Sequence, residues 1–426
     1  MSPLNLGGIS QVQVLVRAQT AENSLMQAIS LLLIAVLVSI ISGQLIRLPF
    51  LGASGAITLA DIFVLATDLT FIIYALAIKK SLKIENKIFF PALLFILSAS
   101  ASTFLAAGTF KLSEILISSL FLIRFIFYFF LSVVIFNVVT YEKVHSWFKI
   151  ILSIGTLFTV VGLFQFVLLP NLSFLTVYGW DPHQQRIAST LLDPNFSGMI
   201  FVVIFAISIS LYLYQKGKKI FGFYPFVAAI SFIALILTFS RSSYLALLVA
   251  VTTIGILKSP KLLISILTLF LVAFLLIGQV RSRIIGAFTL DETAKARLES
   301  WQKGAAIFKD NLLFGVGFNT YRYAQERYGF FSPDEPLGGH SGAGSDSSII
   351  LVAATTGIVG LSFYLFFLLT ILRIFAKRAR QDPLHLASFS IFLALLVHSQ
   401  FVNSLFFPQI MLILWFILGL IQVYDT

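Results

Sequence analysis

Apolar runs of about 17–25 residues recur along this chain, the length a helix needs to cross a hydrocarbon core about 30 Å thick. They fall at 25–46, 57–78, 88–107, 113–139, 148–169, 195–214, 222–239, 242–257, 261–279, 347–372, 385–403 and 406–423. The eighth run is short, and the last two are separated only by Ser404 and Leu405. Composition agrees with a bilayer as solvent: 58% of residues are hydrophobic and 11% charged, against about 25% charged in soluble domains. The expectation is an all-α polytopic membrane protein of about twelve transmembrane helices, with one long polar loop at 279–346 between helices nine and ten. The chain then divides into 1–278, 279–346 and 347–426 within a single integral membrane domain.

The formal charge of +11 would suggest nucleic acid in a soluble protein, but here the excess is local. One set of alternate loops carries Lys79, Lys80, Lys83, Lys87, Lys143, Lys149, Lys216, Lys218, Lys219, Lys258, Lys261, Arg373, Lys377, Arg378 and Arg380. The short loops of the other set carry Arg47, Lys111, Arg186 and Arg241. The positive-inside rule puts the first set, and with it both termini, in the cytoplasm. The 279–346 loop, with eight basic and eight acidic residues, is therefore expected outside, as are the corners at 170–194 and 240–241. Up to about Asn23 the amino end is polar and lacks the apolar core and small-residue cleavage site of a signal peptide, so the first span is expected to stay. The absence of cysteine excludes disulfide and zinc-thiolate chemistry.

Chemistry is expected where polar residues meet on the outer side. In the corner after span five, Asp193-Pro194-Asn195 reads as a helix start, and Arg186 lies just ahead of it, where a guanidinium beside a helix amino end makes an anion site. Ser240-Arg241 sits at a tight outward turn, either snorkelling to headgroups or meeting a phosphate carried on a lipid. Arg124 lies near the middle of span four, at a depth that demands a partner: Asp61, Asp68 or a substrate phosphate. Asp346 directly precedes span ten; it reads either as an N-cap or as a general base with a raised pKa. His340 is a second candidate base.

Other patterns fail. Gly315-Val316-Gly317-Phe318-Asn319 lacks the third glycine and the βαβ setting of a dinucleotide fingerprint. Gly339-His340-Ser341-Gly342-Ala343 lacks the last glycine of a nucleophile elbow. No metal-ligand spacing occurs, and no metal or cofactor is expected.

Four segments in order resemble the O-antigen ligase and O-antigen polymerase superfamily of bacterial membrane glycosyltransferases. They are the stretch from Arg186 through Asp193-Pro194-Asn195, the turn around Arg241, the run from Arg297 to Tyr321, and the start of span ten from Asp346. The resemblance implies transfer of a glycan from a polyprenyl diphosphate carrier to an acceptor hydroxyl at the outer face of the bacterial plasma membrane. It requires no nucleotide sugar and no metal. It implies that Arg186 and Arg241 neutralise the diphosphate and that Asp346 takes the hydroxyl proton. It also nominates Asn195, Arg297, Trp301, Gly317, Asn319, His340 and Arg124 as substrate-contacting. Ligases of this family carry a His-Asn pair about eleven residues ahead of the Gly-Ile that is here Gly357-Ile358; this chain has Asp346-Ser347 there. The aspartate resembles the polymerase branch. The expectation is therefore a polymerase of lipid-linked repeat units, with a ligase or a flippase of lipid-linked sugars as alternatives. Its partners are the lipid-linked donor, a glycan acceptor and membrane lipid, with chain-length regulators left open.

Overall fold

The computed structural model describes residues 11–50, 55–79, 82–217, 221–331 and 344–426. Its helices are α1 (Gln11–Ser42), α2 (Leu59–Tyr74), α3 (Asn86–Ala106), α4 (Leu112–Val138), α5 (Val144–Leu168), α6 (Pro194–Tyr214), α7 (Phe223–Ile236), α8 (Arg241–Leu257), α9 (Pro260–Leu276), α10 (Gly278–Phe288), α11 (Glu292–Asp310), α12 (Tyr321–Arg327), α13 (Ser348–Ala376), α14 (Pro383–His398) and α15 (Pro408–Asp425). Each of the twelve apolar runs is built around one of these helices. Among the described residues, eight of them (α1–α6, α13 and α15) are long and apolar enough to cross a membrane, α2 by continuing as a π-helical turn to Ile78. The other four are shorter. Helices α7, α8 and α14 have 14, 17 and 16 residues, and α9 turns by 98° into α10.

Two expectations need correction. The fold is not purely α: β1 (Arg47–Phe50) and β2 (Gly55–Thr58) form an antiparallel hairpin between α1 and α2. And the described part of the long loop is largely helical. It holds α10, α11 and α12; of these only α11 resembles an amphipathic helix in the sequence, with Ala296, Trp301 and Ile307 spaced among charges.

Three helices start in the same manner, with a side-chain acceptor followed by proline. Asp193, Ser259 and Asp382 cap α6, α9 and α14, and Pro194, Pro260 and Pro383 occupy the first helical position. Proline's missing N–H costs nothing there, because the first turn has no intrahelical acceptor.

An aromatic cluster joins α3, α4, α13 and α15. The Trp415 ring packs against Phe125, Phe129 and Phe367 at 5.9, 5.6 and 5.5 Å, and Phe95 meets Tyr364 at 4.7 Å. Helix α13 does not pass this cluster unbroken. Gly357 adopts φ 66°, ψ −168°, so the helix opens there.

The segment after α11 fills the gap. Val316 and Gly317 donate their backbone N–H groups to the carbonyls of Ala354 and Thr355 at 3.0 and 2.9 Å, and Ile358 donates to Leu312 at 2.8 Å. From α3, the Ser102 hydroxyl reaches the carbonyls of Phe314 and Thr355, at 2.5 and 2.7 Å. Non-helical backbone inside a bilayer is tolerated only when its polar groups are satisfied by protein, and this strap satisfies them. The Gly315–Asn319 motif is thus a splice in α13. A Cβ at Gly357 would overlap the Leu313 carbonyl, and one at Gly315 would overlap the Thr355 backbone.

Gly357→Val should therefore lower stability by about 1–3 kcal/mol from backbone strain alone, with the lost strap added to that. Gly108→Ala, where a Cβ meets nothing within 4 Å, should be neutral. Thermal unfolding of the two detergent-purified variants tests this, and equal midpoints would overturn the splice.

Candidate functional site

A polar cavity of about 730 Å³ opens at the end of the bundle where α4, α6, α11 and α13 meet the β-hairpin. Arg124, Asn195, Arg297, Asn319 and Asp346 all line it. An apolar groove of about 650 Å³ runs beside it between α8, α9, α10 and α11, lined by Arg241, Arg297 and Trp301 among aliphatic and aromatic side chains. Arg297 and Phe401 belong to both. The two spaces meet at one guanidinium.

Asp346 is positioned by α11 and α13. The N-cap of α13 is Ser347, whose side chain accepts from Ile350 N–H, so Asp346 is not spent on capping. Its own N–H donates to Ser300 Oγ of α11 at 3.0 Å. Gly304 lets α11 approach so closely that a Cβ there would overlap Ile350 of α13. Burial raises the Asp346 pKa to about 6, with Arg297 opposing and Asp193 and Asp181 adding to the rise.

The arginines differ in what they already hold. Arg124 is paired with Asp61, Nε to Oδ1 at 2.7 Å and Nη2 to Oδ2 at 3.0 Å, and also donates to the Ala56 carbonyl of the hairpin at 2.7 Å. Asp61 further accepts from Tyr128 O–H and from the Thr58 N–H and hydroxyl. Of the partners open to Arg124 on sequence grounds, the structure selects Asp61. Asp68 is fully buried, and neither of its oxygens has a hydrogen-bond partner among the described residues.

Arg186 donates to the carbonyls of Thr238 and Phe239 at 2.8 and 3.3 Å, tying its loop to the turn before α8. Burial lowers its pKa to about 10, with Arg283 reinforcing the drop. Arg241 forms a two-point pair with Asp291, at 3.1 and 3.0 Å. Asp291 also caps α11; hydrogen bonds from Ala294 N–H and Arg241 outweigh its burial and hold its pKa below the usual value. Arg297 is half-buried and has no hydrogen bond or ion pair among the described residues; burial lowers its pKa while Asp346 opposes the drop.

Asn195 ties α6 to α8. Its side-chain oxygen accepts from the hydroxyls of Ser240 and Ser242 at 2.7 and 3.3 Å, and its carbonyl accepts from Ser243. Two helix amino ends therefore lie side by side, and their dipoles favour an anion there. Trp301 lines the groove, with its ring 5.7 Å from Phe401. Gly317 lies in the α13 splice, and the Asn319 carbonyl accepts from Ser118. His340 lies outside the described residues.

Sequence reasoning missed several neighbours. Arg283 of α10, half-buried and without a hydrogen bond among the described residues, stands within electrostatic reach of Arg186 and His183. Asp181, His183 and Asp193 each offer one ligand atom, all within 4.8 Å of one another, and so have the donors for a cation; Arg186 and Arg283 oppose one there. Asp181, His183 and Asp193 share the 170–194 corner, but only the fold brings Arg283 of α10 to them.

Residues 226–365 match the family model described as O-antigen ligase. Over these residues the chain is similar to the O-antigen ligase and polymerase superfamily. The match runs from α7 into α13 and takes in Arg241, Arg283, Arg297, Trp301, Gly317, Asn319, His340 and Asp346; Arg124, Arg186 and Asn195 lie before it. No curated protein matches the chain. That likeness, with the apolar helices, supports a multi-pass membrane protein with glycosyltransferase-type activity.

Removing Arg124 leaves a half-paired carboxylate in the cavity wall. Arg124→Ala should cost about 3–5 kcal/mol, and Asp61→Asn in the same chain should recover part of that loss. A double-mutant cycle by thermal unfolding reads the coupling; strictly additive effects would mean that the pair contributes nothing.

Proposed function

We propose that this protein polymerises polyprenyl-diphosphate-linked oligosaccharide repeat units at the outer face of the bacterial plasma membrane. The observation that carries the reading is the junction at Arg297. An apolar groove fit for an isoprenoid chain meets a polar cavity fit for sugars, with unpaired positive charge between them. A glycan diphosphate on a polyprenyl lipid has that sequence of parts: chain, anion, sugar.

In this reading the chain lies along α8–α11 and the diphosphate sits among Arg297, Arg186 and Arg241. Arg241 exchanges the Asp291 carboxylate for phosphate oxygens, and guanidinium holds either anion through two parallel hydrogen bonds. The acceptor hydroxyl attacks the anomeric carbon while the bond from that carbon to the phosphate oxygen breaks. The bonding pair leaves with the diphosphate, the hydroxyl proton passes to Asp346, and the anomeric configuration inverts. Charge building up on the leaving group meets guanidinium already in position, with no reorganisation to wait for. Trp301, Asn195 and Asn319 would contact chain and sugar along the way. The chemistry calls on no metal.

The family model's description favours a second reading, transfer of a finished glycan to a lipid or protein acceptor. The carboxylate at Asp346, where ligases carry histidine, supports the first.

A glycan gel from cells lacking the protein, complemented with wild type, Asp346→Asn or Arg241→Ala, separates the two. Polymerase activity gives a ladder with wild type and single repeats with either variant. Long polymer that stays on the carrier and never reaches its acceptor would overturn polymerisation in favour of ligation. In a purified assay Asp346→Asn should slow transfer about 10²–10⁴-fold. Because the base acts deprotonated, the wild-type rate should fall about tenfold per pH unit below about 6. A flat profile from pH 5 to 8 would remove Asp346 as the base.

A further inference from the structure

At the end of the bundle opposite the polar cavity, a second cavity of about 550 Å³ lies between the start of α3, the last turns of α13 and the end of α15. Along α13 it is roughly 35 Å from Asp346 at about 1.5 Å per residue, so it cannot be part of the transfer site. Its walls have two characters. Phe90 and Phe366, 56% and 42% exposed, and Ile374 are apolar and face outward from the bundle, where lipid tails run. Lys87 and Arg373 are exposed cations, and neither has an ion-pair partner among the described residues.

The deciding group is Gln422 of α15. Its side chain lines the cavity at 9% exposure, and its Oε1 atom is buried without a hydrogen-bond partner among the described residues. Leaving such an acceptor unmet costs about 1–3 kcal/mol. The neighbouring carboxylate of Asp425 is already paired with Lys377 at 3.2 Å and lies 3.6 Å from Arg378. Glu85 also lines the cavity, one carboxylate against the two cations, so the cavity asks for three things at once: an acyl chain, a negative charge and a hydroxyl donor.

We infer that this cavity binds a phosphatidylglycerol-type lipid from the leaflet at that end of the bundle. The phosphate lies between Lys87 and Arg373, a glycerol hydroxyl donates to Gln422 Oε1, and an acyl chain runs over Phe90 and Phe366. A zwitterionic headgroup fits less well, because its ammonium would meet the same two cations. Basic pockets between transmembrane helices select anionic headgroups on these grounds.

The test uses full-length protein stripped of lipid in detergent, with dioleoyl phosphatidylglycerol, dioleoyl phosphatidylcholine and inorganic phosphate as probes. Retained lipid is counted by native mass spectrometry, and thermal midpoints are read alongside. Wild type should retain phosphatidylglycerol and gain stability from it, and neither phosphatidylcholine nor inorganic phosphate should reproduce the gain. The Lys87→Ala/Arg373→Ala variant should bind phosphatidylglycerol about fivefold to tenfold more weakly. Gln422→Leu should lose the lipid-induced gain without a lower midpoint in the absence of lipid, because it removes the unmet acceptor. If Gln422→Leu unfolds early, the double variant alone decides. Equal retention of both lipids, a full response to phosphate alone, or an undiminished response in the double variant would overturn the site.

Discussion

The break in α13 at Gly357 is the constraint on which the arrangement depends. In lipid, no water can take up the amide and carbonyl groups that a broken helix frees. The chain supplies them from the Leu312–Gly317 strap, so the end of α11 is spliced into the core of α13. That splice, with the close contact at Gly304, holds α11 against the first turns of α13. Arg297 and Asp346 are 49 residues apart in sequence, yet they stand on facing walls of one cavity because the backbone between them is pinned at both points. A polar loop free above a membrane could not hold that register.

Around this frame, charge is sorted by what already neutralises it. Arg124 is consumed by Asp61 and serves the wall of the cavity by holding the hairpin. Arg186 is turned toward backbone carbonyls, which orient it without cancelling its charge. Arg241 holds a carboxylate that a diphosphate can replace group for group. Arg297 and Arg283 hold nothing among the described residues, and burial lowers the pKa of Arg297. A guanidinium kept partly out of water without a partner is costly unless a ligand repays it.

Much of this was legible in the sequence where a local rule applied. Hydropathy located every apolar helix, and eight of the twelve are long and apolar enough to cross among the described residues; run length alone cannot say where a turn or a bend will end a helix. The Asp193-Pro194-Asn195 start and the Ser240-Arg241 turn followed from capping chemistry. What was not legible was non-local. The Gly315–Gly317 motif was set aside as a failed dinucleotide fingerprint, and only the break at Gly357 shows what it does. Asp346 read equally well as a cap until Ser347 took that role. The partner of Arg124, 63 positions away, was narrowed to Asp61, Asp68 or a phosphate but not chosen, and Arg283 gains meaning only beside Arg186. The hairpin at 47–58 left no alternating pattern to find, since glycine, alanine and proline fill much of it.

The electrostatics also give the proposed reaction a direction. Four arginines (186, 241, 283 and 297) lie within electrostatic reach of four aspartates (181, 193, 291 and 346) and His183, so their charges come close to balancing. As the anomeric bond breaks, negative charge accumulates on the departing diphosphate and the balance tips. A carboxylate in the same partly desolvated space responds by holding a proton more tightly, since like charges disfavour its ionised form. Asp346 therefore becomes a stronger base as the transition state is approached, and after bond cleavage it keeps the proton rather than returning it to the new glycosidic oxygen. The raised pKa in the resting site is the first part of that shift, and the leaving group supplies the rest.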